Sequence, residues 1–152
     1  MRRKDREMTD RGMIEEVMRR AMVCRMAMCE GDRPYVVPVC FGYEDGAVYI
    51  HCATEGKKLD VLRKNPNVCV EFEVDTELVV QGEGCHCTMK YRSVIGSGRA
   101  SLVEDTGLKR KGLDAIMKHY TGRTHEYPDE MVNRTAIIRV EIESLTGKQS
   151  GY

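Results

Sequence analysis

Residues 48–73 read VYIHCATEGKKLDVLRKNPNVCVEFE, and this stretch carries most of the information about the fold. Its apolar start predicts a strand, and a polar loop at residues 53–56 leads into a short helix from Lys57 to Asn65. Pro66 prevents that helix from continuing. Apolar and polar residues then alternate from 68 to 74, which is typical of a strand with one buried face. We therefore expect a β-sheet protein with a short helix between two of its strands.

Upstream of this stretch, the sequence predicts one helix and three strands. Strands are expected at Val23–Cys29, Tyr35–Phe41 and Ala47–Cys52, because turn-like polar sequences separate these apolar runs. We expect the three strands to form an antiparallel meander. Asp10 is a typical N-cap residue, and the residues that follow it have the spacing of an amphipathic helix. These residues are Ile14, Val17, Met18 and Ala21.

Downstream, residues 90–104 predict a long strand that is bent or bulged at Gly96 and Gly98. A second full helix is expected around residues 113–120, and a last strand around residues 136–142, from their helical and alternating apolar spacing. About six strands and three short helices in this order indicate a mainly β, α+β fold. The arrangement expected from the residues alone is a closed or partly closed antiparallel barrel with helical covers.

Length and composition exclude several classes of protein. With 152 residues, the chain fits one domain of ordinary size, residues 1–152. It has 24 basic and 24 acidic residues, so a general electrostatic affinity for nucleic acid or anionic membranes is not expected. Its apolar runs are too short to cross a membrane. The basic N-terminus lacks the apolar segment of a secretory signal, and a cytoplasmic location is expected.

Sulfur is abundant, with 10 Met and seven Cys. An odd number of cysteines without a secretory signal favours reduced thiols, several of them acting as small buried hydrophobic groups. Cys85, His86 and Cys87 offer three adjacent metal ligands, but zinc sites use wider spacing and a second ligand pair. The sequence has no CxxC or HxxxH motif, so we expect no metal site. No thiol can be matched to a catalytic base by its position.

Lys57 and Lys58 open the predicted helix, where free backbone N–H groups carry partial positive charge. A helix start with two added cations is a suitable site for a phosphate group. The lysines oppose the helix dipole, and a bound anion would relieve this conflict. The same pattern also fits an ordinary solvated first turn, and the sequence alone leaves both interpretations open.

Three other features have both a structural and a functional interpretation. Pro38 cannot donate a backbone hydrogen bond, so its strand lies at a sheet edge, contains a bulge or borders a flat apolar ligand. Gly96 and Gly98 either bend their strand or let a ligand approach the backbone. His51 ends a strand beside the basic loop, where it is either a structural residue or part of the site.

A family resemblance that extends over nearly the whole chain rests on six segments, which are CRMAM at 24–28, PYVVPVCFGY at 34–43, VYIHCATEGKKLDVLRKNPNVCVEFE at 48–73, MKYRSVIGSGRA at 89–100, MKHYTG at 117–122 and LTGKQSG at 145–151. Their order and spacing resemble the FMN-binding split-barrel superfamily of pyridoxamine 5'-phosphate oxidase. Within it, the chain is most similar to the 5-nitroimidazole-resistance (Nim-type) branch. No single segment decides the resemblance.

The resemblance implies a six-stranded antiparallel split barrel that forms a homodimer and holds FMN at the subunit interface. The resemblance implies four groups of FMN contacts. A strand behind the flavin carries Val37, Pro38 and Val39, and a strand end and loop near the ribityl and phosphate groups carry His51, Cys52 and Ala53. The basic pair that binds the phosphate is Lys57 and Lys58, and a polar flavin contact on a later strand is Ser93.

Two departures from the oxidases point away from vitamin oxidation. Residues 35–41 lack the basic side chains of the oxidases, and the chain stops at Tyr152 without their C-terminal phosphate-binding segment. A smaller, less charged electron acceptor is therefore expected. The resemblance implies an FMN-dependent oxidoreductase that reduces nitroaromatic (5-nitroimidazole-like) or other small acceptors, with NAD(P)H as a possible donor.

His51 is the best candidate for a residue that faces the substrate and helps proton delivery near neutral pH. Two other functions stay open, because a fold does not fix a function. One is a non-catalytic flavin- or haem-binding module. The other is a thiol-redox or metal protein built on Cys85 and Cys87.

Overall fold

The computed structural model of the protein describes residues 2–80, 82 and 87–152. This part of the chain forms eight strands and four α-helices, with a short 3-10 helix at Lys4–Arg6. In chain order the strands and α-helices are β1 (Glu7–Met8), α1 (Arg11–Arg20), β2 (Cys24–Glu30), β3 (Arg33–Val39), β4 (Gly42–Glu44), β5 (Ala47–Cys52), α2 (Lys57–Lys64), β6 (Asn67–Val79), β7 (Thr88–Leu102), α3 (Thr106–Thr121), α4 (Asp129–Asn133) and β8 (Ala136–Ser150).

The strands form one antiparallel sheet with the order β3-β2-β6-β7-β8-β5-β4, and β1 adds to β8. Hydrogen bonds do not close this sheet, since β3 and β4 lie at its two ends. The inner faces of the long strands share one apolar core. The fold is therefore an α+β split barrel, as the sequence predicts. The two strands beyond the expected six are β1 and β4, which are too short to leave a periodic pattern.

The expected meander of the first three strands is wrong. β2 and β3 form a hairpin, but β5 pairs with β4 and β8 instead of β3. Phe41 follows the end of β3, and its buried ring packs against Phe72 with ring centroids 4.9 Å apart. The chain then starts the separate β4–β5 hairpin. Local turn sequences cannot reveal this change of partner, because pairing with β8 depends on residues about ninety positions away.

The sheet is buried on both faces where α3 covers it. Val48 and Ile50 of β5 point into the main core, whereas Tyr49 packs under α3 together with Ile137 of β8. The alternation predicted for the last strand is present, but the intervening Ile137 is also buried. A strand that is covered on both faces loses the contrast between apolar and polar positions that sequence patterns rely on.

The pairing of β7 with β8 shifts register between Ser97 and Gly98, which confirms a bulge at this position. A Cβ atom on Gly98 would lie 2.1 Å from the carbonyl oxygen of Glu141, so only glycine fits there. A Cβ atom on Gly96 would contact Leu145 and Val70 in the core at about 3 Å. Both glycines thus serve the packing and bending of β7.

Two helices begin as the sequence predicts. The side chain of Asp10 accepts a hydrogen bond of 2.8 Å from the backbone N–H of Met13, which confirms the N-cap of α1. The helix predicted from Lys57 is α2. Among the described residues, no helix combines the length and apolar character needed to cross a membrane.

Candidate functional site

Strand β3 is one of the two edges of the sheet and pairs with β2 alone among the described strands. Pro38 lies opposite Arg25 and is exposed, so the edge-strand interpretation of this proline is confirmed. Val37 and Val39 are half-buried and pack against the main core. The outer edge of β3 therefore carries backbone groups that β2 does not pair, beside a partly apolar face.

Strand β5 lies toward the other end of the sheet, next to the edge strand β4. His51 and Ala53 are exposed, whereas Cys52 is half-buried and packs against the same core as Val37 and Val39. Burial raises the pKa of the Cys52 thiol, and the nearby charge of Lys58 partly opposes this rise. The thiol is therefore a poor nucleophile at neutral pH, and its side chain serves as an apolar packing contact.

Helix α2 follows β5 in the chain, packs against β2, and has an N-terminus suited to binding an anion. Leu59 and Leu62 are buried in the main core, which fixes the helix in place. Gly56 precedes the helix with φ of +123°, a left-handed value that favours glycine, and no side chain caps the helix. The carbonyl oxygen of Gly56 accepts from the N–H groups of Leu59 and Asp60. The N–H groups of Lys57 and Lys58 at the start of the first turn have no partner within the helix, as in helix N-termini that bind phosphate.

The two lysines at this helix start have different surroundings. Lys57 Nζ lies 3.1 Å from Glu30 Oε2 and 4.9 Å from the centroid of the Tyr35 ring, so it ties α2 to the β2–β3 hairpin. Lys58 is half-buried and has no carboxylate within 4 Å in the part of the chain that the structure describes. Its charge is therefore not neutralised by an ion pair with any described residue.

Ser93 lies on β7, far along the sheet from His51 but two positions from Ile95, which the register links through Glu71 and Arg25 to Pro38. Ser93 pairs with Lys148 on β8, whereas His51 pairs with Ile137 on the same strand. These two partners are eleven positions apart, or about 36 Å along an extended strand. Eight of the nine predicted residues thus lie on β3, the end of β5 and the start of α2, and Ser93 lies toward the other end of β8.

Sequence reasoning missed the two residues that hold Lys57. Glu30 and Tyr35 lie on the β2–β3 hairpin, and only the placement of α2 beside this hairpin brings them to the lysine. A basic residue followed by an apolar helix gives no local signal for such a contact. The acidic residue in the predicted hairpin and the basic residue at the predicted helix start have opposite charges, which is only a weak signal that they meet.

The cysteines differ in their exposure. The six described cysteines are all free, but only Cys24 is fully buried, while Cys29, Cys40 and Cys87 are exposed. The expectation that several cysteines act as buried hydrophobic groups holds fully for Cys24 and in part for the half-buried Cys52 and Cys69, because outward positions of the strands carry the others. Cys85 and His86 lie outside the described residues, so the structure does not test the Cys85-His86-Cys87 motif.

Residues 10–149 match the family model described as pyridoxamine 5'-phosphate oxidase. The chain belongs to this family. A solved structure of a candidate 5-nitroimidazole antibiotic resistance protein from Bacteroides thetaiotaomicron is 35% identical, with a TM-score of 0.85 over 94% of this chain and 86% of that one. The family assignment therefore rests on almost the whole length of the chain.

More distant proteins share the fold. The FAD and heme binding protein of Mycobacterium smegmatis is 19% identical, with a TM-score of 0.85 over 97% of this chain and 74% of that one. A curated relative, an uncharacterised protein of Rhizobium meliloti, is 33% identical over 50 residues, or 33% of this chain. That match covers 32%, about a third, of the relative's length.

Proposed function

We propose that this chain is an FMN-binding oxidoreductase that reduces 5-nitroimidazole-like nitroaromatic compounds or other small electron acceptors. The observation that carries the proposal is the start of α2, where uncapped N–H groups and two lysines adjoin the β2–β3 hairpin at one edge of the sheet. The similarity to the Bacteroides thetaiotaomicron protein, at 35% identity, supports the choice of acceptor.

The phosphate of FMN fits the first turn of α2. Backbone N–H groups there point away from the helix, and Lys58 adds a charge that the described chain leaves unpaired. Lys57 joins the site when its ammonium group turns from Glu30 toward the phosphate. Charge-assisted hydrogen bonds of this kind are shorter and stronger than neutral ones.

The flat ring system lies along β3 in this proposal. Val37 and Val39 give the ring an apolar wall, and Pro38 presents no backbone N–H that would be left unsatisfied beneath it. FMN supplies the hydride and electron chemistry when bound. The protein holds and orients the cofactor and excludes water from one face.

His51 is placed to serve the acceptor. It is exposed at the end of β5, next to the half-buried Cys52, where its ring can donate a proton to a bound acceptor. Residues 35–41 contain no basic side chain that would bind a second phosphate. A small acceptor with little charge therefore suits the opening better than a phosphorylated vitamin.

The proposed active form is a homodimer with FMN at the subunit interface. Ser93 is remote from His51 along β8, so it contacts the flavin of the partner copy in this assembly. The β6–β7 hairpin also exposes apolar side chains that a partner would cover, such as Leu78 at 63% and Met89 at 41% exposure.

Dimerisation and FMN binding are expected to be coupled, so that FMN tightens the dimer and dilution releases FMN. Sedimentation over a wide protein concentration range, with and without FMN, measures this coupling. A monomer that keeps stoichiometric FMN at every concentration would show that one chain builds the whole site.

The function is tested by the absorbance spectrum of freshly purified protein, followed by anaerobic titration with NADH and NADPH. A visible flavin band that bleaches with a nicotinamide donor and returns on adding a 5-nitroimidazole supports the reductase. A flavin band that neither donor bleaches, with no turnover of the nitro compound, would overturn it.

A non-catalytic flavin- or haem-binding module is the second candidate. It is favoured by the shared fold with the Mycobacterium smegmatis protein described as binding FAD and heme. Haem added to the purified protein would then give a Soret band at one haem per chain. Stoichiometric FMN without a Soret band on haem addition would remove the haem alternative.

A further inference from the structure

A groove of about 350 Å³ lies on the outer face of the sheet. Its floor is formed by Ala27, Cys69 and Ser97, which lie side by side across β2, β6 and β7. These side chains are small, and the β7–β8 bulge follows directly after Ser97, so the surface is concave here. The groove shares no residue with the proposed flavin site.

Two thiols line this groove from neighbouring strands. Cys69 lies directly opposite Ala27, and Cys29 follows Ala27 by two positions, so it points to the same face of the sheet. The side-chain amide of Asn65 donates to the carbonyl oxygen of Cys29 at 3.4 Å and accepts from the N–H of Asn67 at 3.1 Å. These bonds hold the end of β2 beside the start of β6 and fix the spacing of the two thiols.

This spacing does not suit a disulfide. Diagonal neighbours on paired strands are about 7–8 Å apart, with Cβ atoms somewhat closer. A disulfide needs Cβ atoms about 3.5–4.5 Å apart, so Cys29 and Cys69 cannot form one without moving the backbone. Both cysteines are free in the structure.

The same spacing suits two thiolates bound to one ion. Metal–sulfur bonds of about 2.3 Å place two sulfur atoms up to about 4.6 Å apart. Together with the two Cβ–Sγ bonds, this span matches the diagonal distance between the strands. Among the described residues no group of three His, Cys, Asp or Glu side chains could hold a metal ion. The ion must therefore be satisfied by two protein ligands.

We propose that Cys29 and Cys69 bind one soft, two-coordinate metal ion of the Cu(I) class in this groove. Thiolates select soft ions, and Cu(I) is stable between two of them. Each thiol releases its proton to water when the sulfur–metal bond forms, and no electron is transferred. Asn67 and Glu143 also line the groove, and Arg99 Nη1 lies 3.2 Å from Asn67 Oδ1. Sequence spacing could not indicate this site, because the two cysteines are forty positions apart.

The test is an anaerobic competition between the reduced full-length chain and a chromophoric Cu(I) chelator. All proteins carry Cys85→Ser and Cys87→Ser, which removes the adjacent thiol pair at those positions. We expect one Cu(I) per chain. Cys29→Ser and Cys69→Ser should each weaken binding by about 100-fold or more, because a second thiol held in place acts at roughly millimolar effective concentration. Cys40→Ser is the matched control at another exposed cysteine and should change nothing.

A second measurement needs no serine substitution in the groove. Cu(I) should protect Cys29 and Cys69 together from alkylation, as mapped by mass spectrometry, while Cys40 still reacts. The proposal is overturned if the protein fails to compete with the chelator, if either groove variant keeps its affinity, or if Cys40 is protected instead. Should a groove variant fail to fold, the protection pattern decides the question.

Discussion

Arg20 and Arg92 converge on one carboxylate, that of Asp75, whereas Lys57 and Lys58 at the start of α2 share no such partner. Arg92 Nη1 lies 2.6 Å from Asp75 Oδ2, and Arg20 binds both oxygens of the same side chain. The hydroxyl of Tyr152 donates to the carbonyl oxygen of Asp75 at 2.7 Å, and the Arg92 guanidinium stacks on the Tyr152 ring.

The difference shows which cluster of cations is structural. At Asp75, the chain supplies the anion itself, and the hydrogen bonds from Arg20 and then Arg92 hold the pKa of that carboxyl below its usual value despite partial burial. At α2, the single ion pair of Lys57 is exposed on both sides, and exposed pairs contribute little stability. The positive charge there is therefore available for an external anion.

Removing both lysines should have the largest effect. Lys57→Ala with Lys58→Ala is expected to weaken FMN binding by about 10²–10⁴, because each charge-assisted hydrogen bond contributes roughly 1.5–3 kcal/mol. Riboflavin lacks the phosphate and should bind almost unchanged. Calorimetric titration with both ligands measures this, and Lys64→Ala at the other end of α2 is the control. Equal losses for FMN and riboflavin would contradict the phosphate assignment.

Asp75→Asn should destabilise the fold and leave FMN affinity unchanged. Asparagine accepts the left-handed backbone at this position, where φ is +57°, so the variant tests the charge. We expect the free energy of unfolding to fall by about 1–2 kcal/mol at neutral pH. Chemical denaturation at several pH values measures it.

The pH dependence has a defined sign. Because folding lowers the pKa of Asp75, its stabilising contribution is complete above the unfolded pKa of about 3.9 and is lost as pH falls through the lower folded value. Wild type and Asp75→Asn should therefore converge in acid. Asp129→Asn is the control, since Asp129 is exposed and pairs with Arg110 alone among the described residues. A difference that stays constant down to low pH would contradict the ion-pair explanation.

Glu30→Gln should have a smaller effect of the opposite sign. The substitution frees Lys57 and removes a carboxylate near the proposed phosphate, so FMN should bind about 2–5-fold more tightly, the range that exposed ion pairs allow. Riboflavin affinity should not change. Weaker FMN binding in this variant would mean that Glu30 positions Lys57 for the phosphate instead of competing with it.

Cys85→Ser and Cys87→Ser are expected to change nothing at the flavin site. We expect unchanged flavin content and no stoichiometric zinc in the purified protein, because this spacing lacks the second ligand pair of a zinc site. Elemental analysis that finds one zinc per chain, lost in either variant, would show a metal centre at these residues.

Features that depend on neighbouring residues were predictable from the sequence. Asp10 caps α1 as expected, and α2 ends before Pro66, because caps and proline act within a few residues. The pairing of β5 with β8 and the burial of Ile137 under α3 were not predictable, since both depend on partners far along the chain. Alternation of apolar and polar residues predicts that a strand exists but does not predict which strand it pairs with.

The features of the candidate site also fall into those that local sequence predicts and those that depend on strand order. The basic helix start and the edge proline follow from local chemistry, and the structure has the proline on the edge strand β3 and the helix start beside the β2–β3 hairpin. The contact of Lys57 with Glu30 and the shared groove of Cys29 and Cys69 require knowledge of strand order. Fold-level contacts of this kind decide which lysine is free and which thiols are neighbours.

The position of β8 in the sheet has a consequence for synthesis of the protein. This strand is synthesised after the other described strands, yet it lies between β7 and β5 and also pairs with β1. Before it emerges, the β2–β3 and β6–β7 hairpins can form, but β5 and β7 each keep an open edge. The nascent chain therefore stays prone to aggregation until residues 136–150 are available, and folding of the barrel is complete only after translation of this strand.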